Sequence, residues 1–145
     1  MKNLSDEKQK FVNEFLSQPL IARMATADKS GQPHVVPVWF GWDGECLWIS
    51  SYSNTRKVVE LETNPKISIC IDTTGEAGET KAVILEGKVE LIKQPVEFLQ
   101  QHFRWIYQRY LGEKGVLEKA PQEWIHDPHN LLIKLKPARI FTWNW

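Results

Sequence analysis

The apolar residues of this chain recur mostly at every second position, in about seven short runs separated by turn residues. The run from Lys66 to Asp72 is the cleanest, with Ile67, Ile69 and Ile71 on one side. Residues 21–27, 34–42, 46–51, 80–92, 131–135 and 138–143 read as strands in the same way. Asp28 to Gly31 is a turn, and Asp43-Gly44 is the kind of dipeptide that closes a tight hairpin. Gly87 interrupts the longest run and marks a bulge or bend. Helical spacing is confined to four places. Residues 4–17 begin with Ser5 as a cap and Asp6 and Glu7 in the first turn. Residues 55–63 end at Asn64-Pro65, and residues 119–126 form a short helix. Between them a long helix opens at Pro95 and stops at Gly112, with Val96, Leu99, Phe103, Ile106 and Tyr110 as its buried stripe. Strands and helices do not alternate one for one, so the pattern predicts an antiparallel barrel with flanking helices rather than a doubly wound sheet. No repeat or linker divides the 145 residues, which read as one domain over 1–145.

Charge narrows the classes of partner. Lys+Arg and Asp+Glu balance at 18 each, so no global field draws the chain to nucleic acid or to an acidic membrane surface. No run reaches the roughly 18 apolar residues of a spanning helix. The opening MKNLSDEKQK is too charged for a secretory signal. Cys46 and Cys70 form no CxxC pair, which fits a reducing, cytoplasmic setting. Seven tryptophans are the outlier, and each needs a large surface in a core, a subunit interface or a flat ligand.

Two stretches carry chemistry. Ser50-Ser51-Tyr52-Ser53-Asn54-Thr55-Arg56-Lys57 runs from a strand end through hydroxyl-bearing residues into a helix start. Arg56 and Lys57 would stand in the first helical turn, the wrong end of the macrodipole for cations. A bound anion removes the conflict, because free amides, two cations and hydroxyls would converge on one phosphate. The alternative is two solvated surface cations beside an Asn or Thr cap. In Val35-Val36-Pro37-Val38-Trp39-Phe40 the proline cannot donate to a ladder, so this strand belongs at an edge or bulge. Its free backbone groups could meet the rim of a heteroaromatic ring. The alternative is a barrel strand with a kink.

These stretches, in order, resemble a known family. Residues 25–28 and 31–40, then Trp48-Ile49-Ser50-Ser51, Thr55-Arg56-Lys57, Asn64-Pro65 and the strand 67–72 are similar to the pyridoxamine 5'-phosphate oxidase-like, flavin-binding split-barrel family. The match covers about residues 20–92, and the ending from Lys136 through Trp143 resembles the small general-stress-protein-like members. The resemblance implies a Greek-key split β-barrel and a homodimer holding FMN at the subunit interface. It implies that Thr55, Arg56 and Lys57 bind the FMN phosphate with Ser50 and Ser51 nearby. Pro37, Val38 and Trp39 would run along the isoalloxazine, with Lys81 and Trp143 as further surroundings of the ring. Val35 and Phe40 stand where the true oxidases carry an arginine and a lysine, and the arginine-rich substrate ending is missing. Both departures argue against oxidation of pyridoxamine phosphate.

Other residues read as structure. His126-Asp127-Pro128-His129 is a solvated loop, His34 and His102 are ordinary histidines, and Cys46 and Cys70 are packing residues. Trp42, Trp48, Trp105 and Trp124 belong to the core or an interface, and Trp145 to a docked terminus. Phe98 and Trp105, off the main stripe of the long helix, are the apolar surface a second subunit would cover. The function these readings favour is an FMN-dependent oxidoreductase acting on an unidentified small molecule, the flavin supplying the redox chemistry. A deazaflavin-dependent reductase, and a flavin- or haem-binding carrier or stress-response protein without turnover, remain as alternatives. Nucleic-acid binding ranks last, since no basic stripe with interleaved aromatics is present.

Overall fold

A computed structural model describes residues 4–145. The elements are α1 (Asp6–Leu16), β1 (Ala22–Ala27), β2 (Pro33–Val38), β3 (Gly41–Trp42), β4 (Leu47–Tyr52) and α2 (Arg56–Thr63). They continue as β5 (Lys66–Thr74), β6 (Thr80–Ile92), α3 (Val96–Gly115), α4 (Lys119–His126), β7 (Asn130–Leu135) and β8 (Arg139–Asn144). The strands pair in the order β2-β1-β5-β6-β7-β4-β3, with β8 also on β6, and every pairing is antiparallel. The sheet curls into a half-barrel with the four helices at its flanks. No helix among the described residues is long and apolar enough to cross a membrane.

The curl follows from β6. Its first half pairs with β8 through Lys81–Glu86, and its second half pairs with β7 through Val89–Ile92. The change of partner falls at Gly87. A Cβ there would meet Leu135 Cδ1 at 3.1 Å and the Ala138 nitrogen at 3.2 Å, so a larger residue would press the β7–β8 turn outward by a few tenths of an ångström. The pairing of β6 with β5 runs through Gly87 without an inserted residue, so the site is a bend and not a bulge.

Inside, Met24, Ile69, Ile71, Val83 and Leu85 are fully buried with Phe40, Leu47 and Leu16. A second cluster, Trp48, Leu99, Phe103, Ile106, Tyr107 and Leu132, joins α3 to β4 and β7. The buried stripe of α3 differs from the expected one at its two ends. Tyr107 is buried where Tyr110 was expected to be, and Val96 is exposed. Gly112 does end the first helical segment, with φ +79°, but a further turn continues to Gly115. Phe98 and Trp105 are each half-buried within the chain. Phe98 packs edge-on to Trp48, and Trp105 lies so close over Gly41 that a Cβ there would meet its ring at 2.5 Å.

One expected element is broken in two. The run 34–42 leaves the ladder after Val38 and re-enters it, on the other side of the half-barrel, at Gly41. At the break Phe40 is fully buried, so its backbone groups need partners. The Tyr110 hydroxyl accepts from the Phe40 N–H at 3.0 Å and donates to the Leu20 carbonyl at 2.6 Å. Arg109 Nε donates to the Phe40 carbonyl at 2.9 Å, and its two Nη atoms donate to the Ser17, Leu16 and Gln18 carbonyls. Two adjacent side chains of α3 thus replace the missing strand. Tyr110→Phe should therefore cost about 1–3 kcal/mol, the range for a buried donor left unpaired, read as a lower urea midpoint with unchanged m-value.

Candidate functional site

Breaking the strand opens a cavity. Its volume is about 490 Å³, within the usual range for small-molecule sites. Pro37, Val38 and Trp39 form one wall, Ser50, Ser51 and Tyr52 of β4 another, and Thr55 and Lys57 close the end at α2. Tyr107, Trp124 and Asn130 complete it from α3, α4 and β7. Seven of the expected site residues therefore line one space. Arg56 stands at the helix start beside the cavity without lining it, and Lys81 and Trp143, on β6 and β8, lie outside the cavity of this chain.

The start of α2 is left electrostatically incomplete. Thr55 is the N-cap residue, but its side chain makes no cap bond. Its hydroxyl donates to the Tyr52 carbonyl at 2.8 Å and lies 3.0 Å from Ser51 Oγ. The first amide to bond back into the helix is that of Val59, on Thr55. The amides before it have no partner among the described residues. No acidic residue occupies the first turn. Lys57 is half-buried there, makes no ion pair among the described residues, and has its pKa lowered by desolvation. A cation, free amides and two hydroxyls thus face the cavity with nothing negative between them.

Arg56 is anchored rather than free. Its Nε donates to Glu60 Oε1 at 2.8 Å, and the Glu60 carboxylate is buried. Thr26 Oγ1 donates to Glu60 Oε2 at 3.5 Å, while His34 Nδ1 lies 3.2 Å from Oε1 but off the hydrogen-bond direction. Glu60 thereby ties α2 to β1 and β2 and fixes the stem of Arg56, whose side chain stays 58% exposed at the helix start.

The opposite wall is aromatic. Trp39 stacks on Tyr110 at 4.7 Å and 5°, and meets Tyr107 and Trp124 edge-on at 6.3 and 6.4 Å. The Tyr107 hydroxyl is 2.8 Å from Ser50 Oγ and accepts from Asn130 Nδ2 at 2.8 Å, and burial raises its pKa. Asn130 also donates to the Trp124 carbonyl at 2.9 Å. Trp124, assigned from the sequence to core or interface, is therefore part of the cavity wall. Tyr52, Tyr107, Asn130 and Ile21 also went unread in the sequence. Only Tyr107 carried a signal, standing four residues after Phe103 on the same helix face. The loop at His126–His129 is held by Asp127, which accepts from the His129 amide at 2.8 Å.

A half-barrel interrupted by a side-chain-capped break, with four helices at its flanks, defines a split-barrel protein. The family described as pyridoxamine 5'-phosphate oxidase matches this sequence over residues 9–144, and the chain belongs to it. Solved structures agree in fold. The conserved hypothetical protein Rv2991 of Mycobacterium tuberculosis superposes with a TM-score of 0.78 at 20% identity, covering 97% of this chain and 85% of that one. An F420 reductase gives 0.67 at 23% identity, with 89% and 94% covered. HutZ, the haem storage protein of Vibrio cholerae, gives 0.71 at 20% identity, with 91% and 92% covered. No curated protein matches.

The unpaired Lys57 predicts a measurable cost. Its folded pKa lies below the ordinary 10.5, so in that window the unfolded state binds more protons and stability rises with pH. Lys57→Met keeps the stem and removes the charge. The unliganded variant should be more stable than the parent near neutral pH, with the gap closing as pH approaches the ordinary lysine value. Urea unfolding of both proteins across that range checks it.

Proposed function

We propose that this chain is an FMN-binding oxidoreductase of the split-barrel family, acting as a homodimer on a small molecule in a reducing, cytoplasmic setting. The observation that carries the reading is Lys57, a half-buried cation without a partner beside the uncapped start of α2. A phosphate there would meet the amides of the first turn, Lys57, the Ser51 and Thr55 hydroxyls and the exposed edge of Arg56. The ring would lie along Pro37, Val38 and Trp39, with Tyr107 and Trp124 excluding water behind it. Bound so, FMN supplies hydride and electron transfer, and the protein supplies orientation and a dry wall. The absence of the arginine and lysine at Val35 and Phe40 supports a substrate other than pyridoxamine phosphate.

A deazaflavin is the second reading, favoured by the fold likeness to an F420 reductase. Its phosphate can use the same helix start. Haem fits less well, because no histidine, cysteine or methionine lines the cavity among the described residues.

The second subunit has a surface to cover. Pro37, Arg23, Cys70, Ile84 and Phe141 are successive register partners across five strands, which puts them in one row on the outer face. Trp143 lies two positions from Phe141 on that face. Val35 is 62% exposed, Phe141 and Trp143 are each 42% exposed, and the charges in the row and beside it come as opposites, Arg23 paired with Asp72 and Glu86 across the ladder from Arg139. Lys81 and Trp143 reach a cofactor, on this reading, in a second copy of the chain.

Titration with FMN, followed by quenching of flavin fluorescence, tests the phosphate site. Arg56→Ala should weaken binding by about 1.5–3 kcal/mol, the worth of a hydrogen bond to a charged group. Lys57→Met should weaken it as well. Unchanged affinity in both variants ends the assignment, and a clear preference for F420 in the parallel titration displaces FMN. Reduction of the bound flavin by NADH or NADPH separates turnover from mere carriage. Light scattering should give a dimer at micromolar concentration, and Phe141→Ser with Trp143→Ser should give a monomer.

A further inference from the structure

A second concave site lies at the far end of β7. The change of partner on β6 leaves a groove of about 620 Å³ between β5, β6 and the turn that joins β7 to β8. Lys66, Lys88, Lys136 and Arg139 line it, with Glu86 as its one carboxylate and Gly87 in its floor. This concentration of positive charge stands on a chain whose charges otherwise cancel. None of the four cations makes an ion pair among the described residues. Glu86 faces Arg139 across the ladder, but no ion pair joins them. Lys66 and Lys88 are directly opposite each other in the β5–β6 register. Like charges so placed destabilise a sheet unless something negative lies between them.

We propose that this groove binds a small diphosphate-bearing molecule. Four cations against one carboxylate leave three positive charges, which suits a diphosphate, whose two phosphates share a bridging oxygen and together carry about two to three negative charges near neutral pH. The three lysines supply movable donors and Arg139 a planar fork. The groove is distinct from the first cavity. Asn130 stands in the wall of that cavity and Lys136 in this one, and six residues of extended chain separate them by about 20 Å. The site therefore stands or falls independently of flavin binding.

The test is a titration of the full chain with inorganic pyrophosphate, followed by amide chemical shifts. Shifts should appear at Gly87, Lys88 and Ala138 as a set that saturates separately from any at Thr55 to Lys57. Binding should be tighter than that of inorganic phosphate. The double variant Lys88→Gln, Lys136→Gln should weaken it by at least about tenfold, given the strength of two charge-assisted contacts, while Lys57→Met leaves it unchanged. In the absence of ligand, Lys88→Gln should be no less stable than the parent, since it relieves a like-charge pair. The proposal is overturned by any of four results. These are no binding at millimolar pyrophosphate, shifts confined to the start of α2, an undiminished affinity in the double variant, or tighter binding of a single-stranded oligonucleotide than of pyrophosphate.

Discussion

The fold turns on how the backbone of Phe40 is satisfied. A buried peptide group outside a ladder costs free energy unless another donor or acceptor replaces the lost strand. Here Tyr110 and Arg109 do so, from a helix that begins more than fifty residues later in the chain. Because those two side chains supply the bonds, β2 and β3 can part and belong to opposite sides of the half-barrel. Because β2 and β3 part, Trp39 turns onto Tyr110 and becomes a wall instead of a rung. The same arginine closes the end of α1 through three carbonyls, so the entry into β1 and the seam are held by one guanidinium. Pro37 then sits on an edge strand, where its missing N–H leaves no gap in the sheet.

Opposite the seam, charge is arranged against stability. Glu60 is buried with Arg56, Thr26 and His34 around it, and this satisfied group fixes where α2 begins. One residue on, Lys57 has no such partner, although its burial penalises its charge. The contrast matters because both residues occupy the same turn. A carboxylate available to Arg56 is withheld from Lys57, and the helix dipole adds to the penalty. An arrangement that costs stability and is repaired by an anion is what a phosphate site requires of an empty protein.

Much of this was legible in the sequence because it is local. Ser50, Ser51, Thr55 and Lys57 fall on a strand–turn–helix junction whose residue order gives both the hydroxyls and the misplaced cation. Pro37 announced an edge through its missing donor. What could not be read is what the fold brings from afar. Pro37 and Gly41 flank the break at Trp39 and Phe40, but nothing local says that the chain crosses there to the other side of the half-barrel, and it is the distant Arg109 and Tyr110 that satisfy the interrupted backbone. Tyr107, Trp124 and Asn130 come from three separate elements and meet through the Tyr107 hydroxyl, the Asn130 amide and the edge-on contact of the Tyr107 and Trp124 rings.

The seven tryptophans sort by the fate of their indole N–H. A buried indole needs an acceptor. Trp42 gives its N–H to Asn13 Oδ1 at 2.9 Å and Trp48 to Asp43 Oδ2 at 2.8 Å, and these two are finished within the chain. Trp39, Trp105, Trp124, Trp143 and Trp145 have no such acceptor among the described residues. Trp105 is accounted for by packing over Gly41. Trp39 and Trp124 face the cavity, where a flat ligand offers both area and rim acceptors. Trp145 is docked only by its backbone, which exchanges bonds with Thr80, while its ring is 71% exposed. With Trp143 it continues the apolar line of β8 beyond Phe141. A chain that left these four rings to solvent would gain nothing from their area. These four rings lie on two surfaces, the cavity wall and the outer face of the sheet, which the proposed cofactor and the proposed second subunit would cover.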